Sequence, residues 1–108
     1  MASAMWSKAL ASAALAIVAV AAPAAAATVR VTVTKLTFEP AQVSAHVGDT
    51  IEWVNSDFLA HSATGRKKEW DLFIAPNKTG SITLKQAGEI DYYCRFHPNM
   101  VGHISVVP

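Results

Sequence analysis

Val43-Ser44-Ala45-His46-Val47-Gly48-Asp49-Thr50-Ile51-Glu52-Trp53-Val54-Asn55 contains two runs of period-two alternation on either side of a Gly-Asp pair. Val43, Ala45 and Val47 fall on one face of the first run. Ile51 and Trp53 share a face of the second, with Glu52 and Val54 opposite. A helix would need its apolar residues three and four apart, so this spacing predicts two strands joined by a tight turn. Trp53 reads as core. His46, on the polar side of its strand, reads as a solvated surface residue.

The same period extends outward. Val29, Val31 and Val33 alternate with Arg30, Thr32 and Thr34. Leu36 and Phe38 continue the apolar face out of phase with the valines, which predicts a bulge or bend near Thr34 and Lys35, before Pro40 interrupts the run. Towards the C-terminus, residues 81–84 form a short alternating piece and Gln86-Ala87-Gly88 turns the chain. Ile90, Tyr92 and Cys94 then share one face, and residues 103–107 close as a last strand. Residues 55–77 show no sustained period and are expected to be mostly loop. Within them Asn77-Lys78-Thr79, followed by Gly80, reads as a turn and not as a glycosylation acceptor. Trp70 fits either core or loop. Short strands about ten residues apart with turn signals between them predict an all-β fold, an antiparallel sandwich or barrel.

Residues 1–27 differ from the rest. Lys8 is their only charge, an apolar run covers residues 9–22, and Pro23 leads into a string of alanines. A positive start, an apolar middle and a small-residue exit are the layout of a secretory signal. A retained membrane anchor is the alternative, but the run is short of the roughly 20 residues a span needs and is rich in alanine. Cleavage after Ala25, Ala26 or Ala27 satisfies the rule equally. The chain is therefore expected to hold a signal peptide over residues 1–27 and one domain over residues 28–108, periplasmic or otherwise exported, with no membrane insertion after cleavage.

Setting Lys8 aside, eight of the nine basic residues remain against eight acidic ones, so that domain is neutral. Without a basic stretch beyond Arg66-Lys67-Lys68, nothing argues for nucleic-acid binding. Those three residues read as a solvated loop. Cys94 is the only cysteine. An exported domain this small often relies on disulfides, yet none can form within this chain, and a lone thiol in an oxidising compartment needs burial or a metal.

Tyr93-Cys94-Arg95-Phe96-His97-Pro98-Asn99-Met100 places a thiolate, an imidazole and a thioether three residues apart where a strand ends. Three donors on one short loop converge only if the loop wraps around a point, and a fourth must come from elsewhere. His61, in the loop beyond residues 51–55, is the best candidate. Two histidines, a thiolate and a weak axial methionine suit copper in electron-transfer sites, whereas structural zinc sites favour four Cys or His donors. His103, after Gly102, reads as structural.

With these residues in view, the sequence resembles the cupredoxins, the blue-copper family, and among them the amicyanin type. Phe38-Glu39-Pro40, the run from Val47 to Asn55, His61, and Cys94-x2-His97-x2-Met100 carry the resemblance, which spans nearly all of residues 28–108. It implies a Greek-key β-sandwich and one copper ion held by His61, Cys94, His97 and Met100. The implied role is single-electron carriage between redox partners as a monomer, not catalysis; the amicyanin type further implies an amine dehydrogenase as donor and a c-type cytochrome as acceptor. Ser62 stands where the family usually has asparagine, which predicts weaker hydrogen bonding between the two ligand loops. Arg95-Phe96 replaces a more usual Thr-Pro or Ser-Pro pair, and Ile90 a frequent tyrosine.

Two other functions use the same residues. Copper carriage or storage would hold the ion for delivery through the same ligands. A Cys-His hydrolase would need an oxyanion site and a substrate cleft, for which a domain of this size offers little room. Phe96, Pro98 and Met100 are expected to surround His97 with apolar surface suited to transient docking.

Overall fold

A computed structural model describes residues 12–17 and 25–108. Most of the segment read as an export signal lies outside the described residues; its residues 12–17 and 25–27 contain neither helix nor strand. Among the described residues, no helix is long and apolar enough to cross a membrane.

The chain forms β1 (Thr28–Thr34), β2 (Thr37–Glu39), β3 (Gln42–His46), β4 (Thr50–Asn55), β5 (His61–Gly65), β6 (Asp71–Ile74), β7 (Thr79–Thr83), β8 (Gly88–Cys94) and β9 (His97–Val107). They build two sheets, ordered β2-β1-β4-β7 and β3-β9-β8-β5-β6. The inner faces carry the predicted apolar sets: Val31, Val33, Ile51 and Trp53 from the first, and Ala45, Tyr92, Cys94, Ile104 and Val106 from the second. Burying these faces against one another is what excludes water and holds the sandwich together.

Two expectations are corrected and two are made specific. The sandwich is not purely antiparallel, because β1 pairs parallel with β4 and β3 parallel with β9. The tight turn expected at Gly48-Asp49 is present and forms a corner that carries the chain from one sheet to the other. Gly48 supplies the positive φ of 95° that the corner needs. The Asp49 carboxylate accepts the backbone N–H groups of His46 and Ala27 at 2.8 Å each. Those two amides hold the Asp49 carboxyl below its usual range.

The bend expected near Lys35 is a two-residue hairpin turn. Lys35 and Leu36 both take positive φ, 50° and 58°, and Val33 pairs with Phe38 across it. Positive φ at both central residues matches the twist of the flanking strands. It also explains why the apolar phase changed there. Finally, residues 55–77, read without any strand, include two, β5 and β6. All five residues of β5, His61-Ser62-Ala63-Thr64-Gly65, are buried, so a strand between two neighbours shows no alternation to read.

An aromatic cluster fills the centre. Trp53 stacks on Trp70 at 5.8 Å between ring centroids and meets Tyr92 edge-on at 5.4 Å; Phe38 meets Tyr92 at 4.8 Å. Trp70 thus joins the core. Tyr92 lies opposite Gly102 of β9, where any Cβ would overlap its ring. Burial pushes the Tyr92 phenol up to about 12, so it stays neutral.

Candidate metal centre

The break in the β8–β9 ladder makes the site. Tyr93 pairs with Val101, yet the next residue, Cys94, pairs with His97. Pro98, Asn99 and Met100 therefore have no partner on β8 and bow away from it, while Arg95 and Phe96 turn the chain. The last strand consequently starts at His97 and not at residue 103. Directly opposed residues share a face, so Cys94 and His97 lie side by side across the Arg95-Phe96 turn, and the bow of residues 98–100 lets Met100 be buried as well.

His61 opens β5 instead of lying in a loop, and its position is set from β4. Asn55, 1% exposed, donates through Nδ2 to the carbonyls of Leu59 at 2.9 Å and of Ile74 and Ala75 at 3.2 Å, and its Oδ1 accepts the Asp57 N–H at 2.9 Å. One buried amide thus ties the β4–β5 connection to the end of β6. Asp57 in turn places Oδ2 2.9 Å from His61 Nε2. A carboxylate accepts only, so Nε2 carries the proton and Nδ1 presents its lone pair inward.

Cys94 Sγ lies 3.8 Å from His61 Nδ1 and 3.8 Å from His97 Nδ1, and the three donor atoms lie within 4.8 Å of one another. Cys94 and His61 are fully buried and His97 is half-buried. The spacing can be tested against a metal. A first-row ion about 2.3 Å from a thiolate and about 2.0 Å from an imidazole nitrogen separates S from N by roughly 3.5–3.7 Å. The two S···N separations are close to that, so the residues fit one ion, and a donor set of one thiolate, two imidazoles and a thioether nearby in sequence suits copper over structural zinc.

Met100, 2% exposed, belongs to the same buried cluster as Cys94. It is therefore not part of an exposed rim around His97, contrary to expectation: the bow of Pro98 to Met100 turns the thioether into the core. Exposed apolar residues beside the site include Phe96, 47% exposed, and Phe73, 56% exposed, whose rings meet edge-on at 6.1 Å.

Ser62 does not loosen the connection between the two ligand segments. Its N–H donates to Cys94 Sγ at 3.3 Å, and its Oγ accepts the Arg95 N–H at 2.8 Å. A serine hydroxyl reaches the amide that follows the cysteine, so the link is kept. The two other histidines stand apart from the three donors. His46 is exposed, 3.8 Å from Asp49, and His103 bridges Asp91 and Glu89 on the outer face of β8 and β9. Asp57 and Asn55 had no reading as site residues. An asparagine ending an apolar strand, and a carboxylate four residues before the histidine, were the available signals.

The Cupredoxin-like domain family matches residues 7–106. Amicyanin of Paracoccus denitrificans is 28% identical over 82 residues, covering 70% of this chain and 63% of that protein. Amicyanin-alpha of Methylorubrum extorquens is 32% identical over 82 residues, covering 70% and 69%. The Cu(I) form of an amicyanin variant superposes with a TM-score of 0.66 at 29% identity, over 78% of this chain and 86% of that one. The chain thus spans just under two thirds of the length of the Paracoccus protein.

Proposed function

The chain belongs to the cupredoxin-like family, and from that premise we propose that it is a small exported blue-copper electron carrier holding one copper ion through His61, Cys94, His97 and Met100. The observation that carries this reading is the convergence of Cys94 Sγ and two imidazole nitrogens, each 3.8 Å from the sulfur, in a buried site. When bound, copper supplies one-electron Cu(I)/Cu(II) chemistry.

The residues supply the rest. Asp57 keeps the proton on His61 Nε2 and fixes the ring, and the Ser62 N–H rests on the Cys94 sulfur. Because these contacts are already made, little of the protein has to move when charge at the centre changes. Burial of Cys94 and Met100 keeps water and oxidants off the sulfurs. His97 is the ligand nearest solvent, and Phe96 and Phe73 give that end a small apolar surface. Such a surface suits brief encounters with redox proteins, since weak electron-transfer complexes use small interfaces. By likeness to the amicyanins, the partners are a dehydrogenase as donor and a c-type cytochrome as acceptor, and the carrier acts as a monomer and not as an enzyme.

Export places the protein where a lone cysteine needs its metal. Among the three exits, cleavage after Ala26 is favoured by the contact of the Ala27 nitrogen with Asp49 Oδ1 at 2.8 Å. A new α-ammonium at Ala27 would keep that contact with a full positive charge.

Carriage and electron transfer are separated by mixing the oxidised and reduced copper proteins. Rapid self-exchange, with copper retained against an excess of a Cu(I) chelator, is the expected result. Slow exchange with ready loss of copper would overturn electron carriage in favour of delivery.

A further inference from the structure

β5 is joined to the Cys94 turn by side chains outside the donor set. Ser62 and Thr64, two residues apart, share a face of β5, and Asp71 of β6 lies directly opposite Thr64. Arg95 N–H donates to Ser62 Oγ at 2.8 Å, Ser62 Oγ lies 2.9 Å from Thr64 Oγ1, and Thr64 Oγ1 donates to Asp71 Oδ1 at 2.8 Å. The Arg95 guanidinium closes the circuit, with Nε donating to the same Asp71 oxygen at 2.9 Å.

The direction of every bond follows from donor capacity. Hydrogen bonds from Thr64 and then Arg95 hold the Asp71 carboxyl below its usual range, so it is ionised and accepts only. Thr64 has one hydroxyl proton, and it goes to Asp71. In the contact with Ser62, Thr64 must therefore accept and Ser62 donate. Ser62 Oγ has then no proton left for another partner, and its lone pair receives the Arg95 N–H. A single orientation runs from the Arg95 amide through Ser62 and Thr64 to Asp71, and a charged terminus strengthens each bond before it.

We infer that Asp71 is a positioning residue for the copper site: through Thr64 and Ser62 it clamps the Cys94–His97 turn onto β5, and so holds the Ser62 N–H against the Cys94 sulfur. This rests on the copper reading above but reaches Thr64 and Asp71, which make no hydrogen bond to a ligand side chain. Asp71 acts from an exposed position, 55% accessible, on a sulfur that is fully buried. It also anchors Arg95, whose guanidinium lies 5.2 Å from the Phe96 ring centroid, and so steadies the apolar surface beside His97.

Thr64→Val keeps the shape and removes the hydroxyl, and Asp71→Asn keeps the shape and removes the charge. Amide hydrogen exchange on the metal-free protein reads the clamp directly. The Arg95 amide is expected to exchange at least tenfold faster in Thr64→Val, by a smaller factor in Asp71→Asn, and at the wild-type rate in Thr64→Ser. In the copper proteins the reduction potential is expected to fall in the same order, because a longer Ser62 N–H···Sγ contact leaves more electron density on the thiolate. Unchanged Arg95 exchange and unchanged potential in both Thr64→Val and Asp71→Asn would overturn the inference, as would failure of Thr64→Ser to restore them. If Thr64→Val fails to fold, Asp71→Asn at its exposed position decides by the same readouts. A wild-type protein without a copper–thiolate absorption band would sink the copper reading alone, since the metal-free exchange still decides the clamp.

Discussion

The two sheets do different work. In the four-stranded sheet, β1 and β4 alternate buried and less buried residues, and none of the proposed ligands comes from it. In the five-stranded sheet, β5 is buried on both faces and the β8–β9 ladder breaks at Tyr93 and Cys94, and all four proposed ligands stand at those two irregularities. Regular strands build a scaffold because every side chain has an assigned face. A site needs side chains from separate segments to converge on one place, and here the break in the β8–β9 ladder and the buried start of β5 supply them. The scaffold is therefore written in periodicity and the site in departures from it.

The division can be tested by substituting each region. Trp53→Ala, in the regular sheet, is expected to have the largest effect on stability. It removes the side chain at the centre of the aromatic cluster and should cost about 3–5 kcal/mol. The visible spectrum of the copper-loaded folded protein should nevertheless be unchanged. Denaturant unfolding followed by absorption checks both; a shifted spectrum would show that the two regions are not separable at Trp53.

Asn55→Ala sharpens the comparison, because Asn55 belongs to β4 yet donates to the end of β6 in the other sheet. Leaving buried carbonyls without their donor should cost about 1–3 kcal/mol. Unlike Trp53→Ala, it should also alter the spectrum, by releasing Asp57 and with it the His61 ring. Stability loss with no spectral change would mean that Asn55 is scaffold only.

His103 gives the smallest effect, and one far from the site. Asp91 and then Glu89 raise its pKa above 6.5, while Ser105 and then His103 lower that of Glu89. A histidine with a raised folded pKa contributes stability that is complete below its unfolded value and is lost as pH rises through the folded one. Glu89 contributes above its unfolded value and loses that contribution as pH falls through its depressed one. Melting temperature should thus decline modestly as pH rises above 6.5, and His103→Gln should flatten that decline without touching the copper spectrum. A decline that persists in the variant would assign the pH dependence to other groups.

Much of this was legible in the sequence, for identifiable reasons. Alternation located β1, β3, β4 and β8, and the spacing of Cys94, His97 and Met100 exposed the donor set before any geometry. His61 was found by its chemistry although its strand was missed, since His-Ser-Ala-Thr-Gly, buried throughout, has no run of apolar side chains to mark an inner face. The wider stretch of residues 55–77, read as loop, hid Asp57 and Asp71. Their roles depend on the register of β5 against β6 and on the path of the β4–β5 connection, neither of which a period reveals. Met100 reads from its spacing as a ligand, and from its apolar neighbours Phe96 and Pro98 also as part of the surface around His97. Only the bow in β9 turns it inward.

The central claim is a copper–thiolate bond at Cys94. It is tested most directly by the visible absorption of the copper-loaded, oxidised protein beside that of Cys94→Ser, with folding of both checked by circular dichroism. An intense visible band in the wild type that vanishes in a folded Cys94→Ser is the predicted result. A folded, copper-loaded wild type without that band, or a band that survives the substitution, would contradict it.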